Sequence, residues 1–119
     1  MAVLTTNVAT GPGITPVAPA TITAWSGTGD TISANDIGDT GVTALVVNTS
    51  GGPLDFRVED PGFTGAGNAP ANGYTTVTVP TGQTRHVKIT KNNVNNTTNT
   101  VKVGSSGSAV STFNVQLVK

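Results

Sequence analysis

Leu54-Asp55-Phe56-Arg57-Val58-Glu59 decides the fold class of this chain. Apolar and charged residues alternate strictly, which sets Leu54, Phe56 and Val58 on one face of an extended strand and Asp55, Arg57 and Glu59 on the other. Just upstream, Val42–Asn48 is apolar on both parities, Leu45 and Val47 against Val42, Ala44 and Val46. Such a run predicts a central strand covered on both faces. Between the two, Asn48-Thr49-Ser50-Gly51-Gly52-Pro53 reads as a hairpin connection.

The same punctuation continues in both directions. Residues 60–73 hold two Pro and four Gly and predict the longest loop. A strand over Tyr74–Val79 follows, with Val77 and Val79 inward, then the turn Pro80-Thr81-Gly82-Gln83. Residues 85–90 return with Val87 and Ile89 inward, and 92–99 is an Asn- and Thr-rich turn. Strands at 100–103 and 109–118 are predicted to form the last pair, joined by Gly104-Ser105-Ser106-Gly107-Ser108. On the final strand Phe113, Val115 and Leu117 share a face. Towards the N-terminus, strands are expected at 30–33 and 21–25 around the turn Ser26-Gly27-Thr28-Gly29.

Residues 1–20 contain Gly11, Pro12, Gly13, Pro16 and Pro19, so beyond a short strand at 3–8 the chain cannot pair regularly. They predict an extended N-terminal arm, 1–20, ahead of a β-sandwich domain, 21–119. The arm is expected to be a contact element ordered by a neighbouring subunit or by a larger partner. Its Pro residues lower the entropy cost of ordering it there. The expected fold is therefore all-β, one domain, a β-sandwich or small barrel of the Ig-like or jelly-roll-like kind.

Composition narrows function by exclusion. The 119 residues carry six Lys plus Arg and six Asp plus Glu, a formal charge of zero, and charged residues are 10% of the chain. Six cations are too few for binding by phosphate neutralisation or for a polybasic membrane anchor, so neither nucleic acid nor membrane is an expected partner. No stretch approaches the ~20 apolar residues of a membrane span. With no Cys there is no disulfide, thiolate metal site or thiol nucleophile, and one His removes most His-based chemistry. The N-terminus lacks the basic start and apolar segment of a secretory signal, so synthesis in the cytoplasm is expected.

The candidate sites are each better read as structure. His86 falls on the outward parity of its strand with no orienting carboxylate or nucleophile specified. Asp30, Asp36, Asp39, Asp55, Glu59 and Asp60 lack the spacing of a calcium loop, and Asp and Asn here serve turns. Gly65-Ala66-Gly67-Asn68-Ala69-Pro70 lacks the third Gly of a dinucleotide fingerprint and the helix that would follow. The glycosylation-type triplets Asn48-Thr49-Ser50, Asn95-Asn96-Thr97 and Asn96-Thr97-Thr98 read as turns. Trp25, the only Trp, is expected to fill core or interface, because an aromatic platform needs several rings and the chain has five. No catalytic, cofactor or metal residues are assigned, and the protein is not expected to be an enzyme.

Gly29-Asp30-Thr31-Ile32-Ser33-Ala34-Asn35-Asp36, the apolar strand Val42–Asn48, Ser50-Gly51-Gly52-Pro53 and Thr76-Val77-Thr78-Val79-Pro80-Thr81-Gly82-Gln83-Thr84-Arg85 occur in that order. Over residues 22–90 this succession resembles the capsid decoration, or cement, proteins of tailed bacteriophages. The resemblance implies a non-enzymatic virion protein, often a trimer, that binds the major capsid protein on the capsid exterior and stabilises the shell. It carries no catalytic residues. The alternative is an Ig-like adhesion or carbohydrate-binding module of a phage fibre or cell surface, against which the lack of an aromatic platform counts.

Overall fold

The computed structural model describes residues 3–4, 6–7, 20–22, 25, 30–61, 73–106 and 113–118, those from 3 to 22 and Phe113 at the backbone only. Alternating β-branched residues set its strands, because side chains branched at Cβ pack on a pleated surface and crowd a helix. In chain order these are β1 (Val3–Leu4), β2 (Thr6–Asn7), β3 (Ala20–Ile22), β4 (Asp30–Ser33), β5 (Val42–Asn48), β6 (Leu54–Glu59), β7 (Tyr74–Val79), β8 (Thr84–Ile89), β9 (Thr100–Ser105) and β10 (Phe113–Val118). They form two sheets. Sheet I has the order β1-β4-β9-β6-β7, and sheet II the order β2-β10-β5-β8, with β3 also on β10. The all-β sandwich expected from the alternation is what forms.

Two features of the connections differ from the sequence reading. The segment 49–53 is not a hairpin within one sheet, since β5 lies in sheet II and β6 in sheet I, and the turn 80–83 likewise joins β7 of sheet I to β8 of sheet II. Each is an arch that carries the chain across the core. Likewise β9 and β10 are not partners: β9 sits between β4 and β6, and β10 between β5 and the short strands β2 and β3. Turn residues look alike whether a strand folds back beside its predecessor or over it. The choice is made by which faces must be buried.

The core lies between the sheets. Ile32, Phe56, Val58, Val79, Val101 and Val103 enter from sheet I, and Val42, Ala44, Val46, Val87, Ile89, Val115 and Leu117 from sheet II. The inward parities assigned to β6, β8 and β10 agree with this for every residue whose side chain is described. Phe113 lies outside that set. β5 is central in its sheet, but only one of its faces is closed. Thr43, Leu45 and Val47 are half-buried, so the expectation of cover on both faces is corrected.

One short helix went unread in the sequence. α1 (Ala34–Ile37) joins β4 to β5, capped by the Ser33 hydroxyl, which accepts from the Asn35 N–H, and ended by Gly38. Its single apolar anchor, Ile37, is fully buried and closes that end of the sandwich. Four residues are too few to display a 3.6-residue period. Of the strand expected at 21–25, β3 covers Ala20–Ile22, and residues 23–24 lie outside the described residues. Of the segment 1–20, Val3–Leu4 pairs in parallel with β4, and Thr6–Asn7 pairs in parallel with β10. Residues 8–19 lie outside the described residues, as do 62–72, with Gly65–Pro70 among them.

Gly41 supports one prediction. It has φ +78°, and a Cβ built there would lie 2.6 Å from the Ile89 carbonyl oxygen. Gly82 shares the positive φ, +74°, but has open space around it. Gly82→Ala should cost about 1–3 kcal/mol of backbone strain alone. Gly41→Ala should cost clearly more, because a backbone carbonyl of β8 must also move. Urea denaturation of the two variants side by side checks the order.

Candidate binding site

β6 turns Asp55, Arg57 and Glu59, all half-buried, to the outer face of sheet I, and the register places each opposite a β7 residue: Thr78, Thr76 and Tyr74. On the other side of β6, Arg57 faces Gly104 of β9. The missing side chain at Gly104 lets a second layer settle on the sheet. Trp25 occupies that space, with its backbone N–H donating to the Ser105 carbonyl at 2.9 Å. A Cβ on residue 104 would fall 2.7 Å from the Trp25 Cα and 2.9 Å from its nitrogen.

Seated there, the Trp25 ring meets Tyr74 at a centroid separation of 5.2 Å and a tilt of 53°. A cation rests on each ring. The Lys102 Nζ lies 4.3 Å from the Trp25 centroid, and the Arg57 guanidinium carbon 4.6 Å from that of Tyr74. The order is cation, ring, ring, cation. Each cation–ring contact contributes about 0.5–1 kcal/mol at an exposed site. The Arg57 Nε is buried without a hydrogen-bond partner.

Glu59 anchors the neighbouring loop. Its Oε1 accepts from the Lys102 backbone N–H at 2.9 Å and its Oε2 from the Asn95 side-chain amide at 3.0 Å, while its carbonyl accepts from the Asn93 amide. Each carboxylate oxygen thus accepts one hydrogen bond. Asp55 accepts from the Thr78 hydroxyl at 2.7 Å.

Other residues weighed from the sequence lie elsewhere. His86 is exposed on β8, opposite Leu45 on the outer face of sheet II. Among the described residues no three or more His, Asp or Glu side chains converge as metal ligands. Asn48 is buried, and its amide donates to two carbonyls. The Asn95 side chain accepts from the Thr97 N–H, as a turn residue does.

Trp25, expected to fill core or interface, is half-buried on an outer face beside Tyr74. The two rings are 49 positions apart, and the cluster exists only because β9 lies beside β6. The one local signal was a Gly inside a strand, which marks close approach of another segment.

No protein family, curated protein or solved structure matches the chain.

A substitution at residue 104 tests the arrangement. Gly104→Ala should lift Trp25, lose its hydrogen bond to Ser105 and uncouple the rings, costing about 1–3 kcal/mol. The fluorescence of the single Trp should shift to the red as the indole gains water. An unshifted spectrum would mean that the ring is not seated on the glycine.

Proposed function

We propose that the chain is a structural, non-catalytic virion protein that binds the major capsid protein on the outside of a phage capsid and stabilises the shell. In this reading it acts as a homotrimer, is made in the host cytoplasm and needs no cofactor. One observation carries it. The two turns on which the sequence resemblance rests lie together at one end of the sandwich, tied by Asn48 to each other. The Asn48 amide donates to the Gly52 and Val79 carbonyls at 2.9 and 2.7 Å, and the Asn48 backbone exchanges hydrogen bonds with Gly82 and Gln83.

The surface this builds is rigid and uncharged. Thr49, Gly51, Pro53, Thr81, Gly82 and Gln83 are all exposed. Such an end suits docking by shape and hydrogen bonds to a protein wall, where long-range charge attraction contributes little. The half-buried Leu45 and Val47 continue the surface onto sheet II with apolar contact.

Gly51 gives a clean test, because a side chain added there meets nothing within 4 Å. Gly51→Arg should fold and melt like the parent. Mixed with undecorated heads of its own phage and pelleted, the parent should travel with the heads and Gly51→Arg should stay in solution. If the parent does not pellet, or both bind equally, the reading fails.

A further inference from the structure

Among the described residues the four sheet edges are not alike. Sheet I ends in β1, two residues long, and sheet II ends beyond β10 in β2 and β3, two and three residues long. The other edge of sheet II, β8, is six residues long but carries Arg85 and Lys88. Short strands, charges and bulges are how edges are kept from pairing with another chain. β7 has none of these. Its six residues, Tyr74-Thr75-Thr76-Val77-Thr78-Val79, contain no charge, Pro or Gly, and its register with β6 runs unbroken through all six pairs.

The Asp60 N–H donates to the Gly73 carbonyl at 3.0 Å, and residues 60 and 73 continue the β6–β7 register. Hydrogen-bonded pairs alternate along an antiparallel ladder, so Thr75, Val77 and Val79 are the residues that bond to β6. Tyr74, Thr76 and Thr78 therefore turn their N–H and carbonyl groups to the free edge. Thr76 is the middle of these three, and a second β7 laid antiparallel through it matches them completely. Thr76 faces Thr76, and Tyr74 faces Thr78 in both directions. Three N–H groups and three carbonyls from each copy then make six hydrogen bonds, with none left over. The side chains agree with this register, since threonine pairs and aromatic pairs with β-branched residues are favourable across strands. Thr75 falls against the half-buried Val77, whose flank at the rim of the core is thereby covered. Along the outer face, two uncharged β7 residues separate Arg57 of one copy from Arg57 of the other.

We propose that β7 is the interface through which two copies of this chain join, antiparallel and centred on Thr76, into one continuous sheet. Each copy contributes its five-stranded sheet I. The contact is isologous and closes on itself. The outer edges of the joined sheet are the two-residue β1 strands, so strand addition stops at the pair. This goes beyond the shell-binding reading and does not rest on it. Where copies also associate by threes, the β7 contact joins a copy in one trimer to a copy in the next.

The chain has no Cys, so single-cysteine variants read the register directly. In the pair, the two copies of residue 76 lie about 5.5 Å apart at Cα, within the span of a disulfide. Those of residue 78 lie about 14 Å apart, well beyond it. Under mild oxidation the isolated full-length Thr76→Cys protein should cross-link rapidly, and Thr78→Cys only at the rate of random collision. A second variant reads the mass. Thr76 is exposed and lies opposite Arg57 within its own sheet, so Thr76→Glu should fold, as a thermal melt verifies. Across the contact, however, it sets two carboxylates face to face. By sedimentation equilibrium through the micromolar range, the parent should reach twice the mass of Thr76→Glu. The proposal is overturned by equal masses for the parent and a folded Thr76→Glu, by cross-linking at 78 as fast as at 76, or by cross-linking at neither. If Thr76→Glu does not fold, the two cysteine variants decide alone. No capsid takes part, so any of these results leaves the shell-binding reading standing.

Discussion

Phe56→Ala should lower the stability of the folded protein by about 3–5 kcal/mol. Phe56 is fully buried and the largest core side chain among the described residues. It stands mid-strand on β6, with Val77 opposite on β7 and Ser105 opposite on β9. The sheets cannot close over so large a loss, because strands paired on both sides cannot shift without breaking their ladders. Nor is water a good replacement. The Ser105 hydroxyl is buried without a partner, but a buried water needs two to four polar neighbours and the rest of the lining is apolar.

A domain of this size is stable by roughly 5–15 kcal/mol, so this one substitution removes a large share. The neighbouring residue supplies the control. Arg57→Ala, on the outer face, should cost about 1 kcal/mol or less through its contact with Tyr74. Urea denaturation of both variants measures the difference, and equal costs would mean that β6 is turned over.

The second large effect is expected at Asn48, which is 1% exposed. Its amide nitrogen donates to Gly52 and Val79, and its oxygen accepts from the Ser50 N–H and hydroxyl. One side chain therefore satisfies both arches at once. Asn48→Ala strands these groups, and each buried polar group left unmet costs about 1–3 kcal/mol. With partial relief by water at the arch surface, a total of roughly 3–5 kcal/mol is expected. Asn48→Asp should be worse at neutral pH, since it loses both donors and sets a carboxylate against two carbonyl oxygens. Denaturation midpoints check the ranking parent, Ala, Asp. A silent Asn48→Ala would show that the arches hold themselves.

Strand limits were legible wherever alternation was strong and turn residues flanked it. β5, β6 and β7 begin and end where the pattern places them, and β8 differs by one residue. These are local signals: parity, β-branching, Gly and Pro. What the pattern does not carry is which strand lies beside which. Asn48 to Pro53 has the same turn chemistry as a hairpin, yet here it crosses between sheets, because Leu54, Phe56 and Val58 must face Val42, Ala44 and Val46 rather than extend their sheet.

The candidate site inherits that limit. Trp25, Tyr74, Arg57 and Lys102 come from four separate segments, and their meeting depends on the β6–β9 register and on the gap at Gly104. Periodicity reports which face a residue takes. It does not report what lies across from it on the next strand. The half-open face of β5 is a similar case, since an apolar run places a strand in the middle of its sheet without supplying a third layer to cover it.

The position of β10 between β5 and the short strands β2 and β3 has a consequence for how the chain is made. Its partners on one edge are near the start of the chain, and its partner on the other ends at residue 48. At about 5–20 residues per second, roughly 4–14 s of synthesis separate the end of β5 from the end of β10. Through that interval the most apolar strand of the protein has one edge without a neighbour, a hazard for pairing between nascent chains. β8 covers the other edge earlier and carries Arg85 and Lys88, charges that discourage further strand addition. Closure of the sandwich therefore waits on its final strand, and a ribosome stalled shortly before residue 113 would release a chain whose stickiest edge is still open.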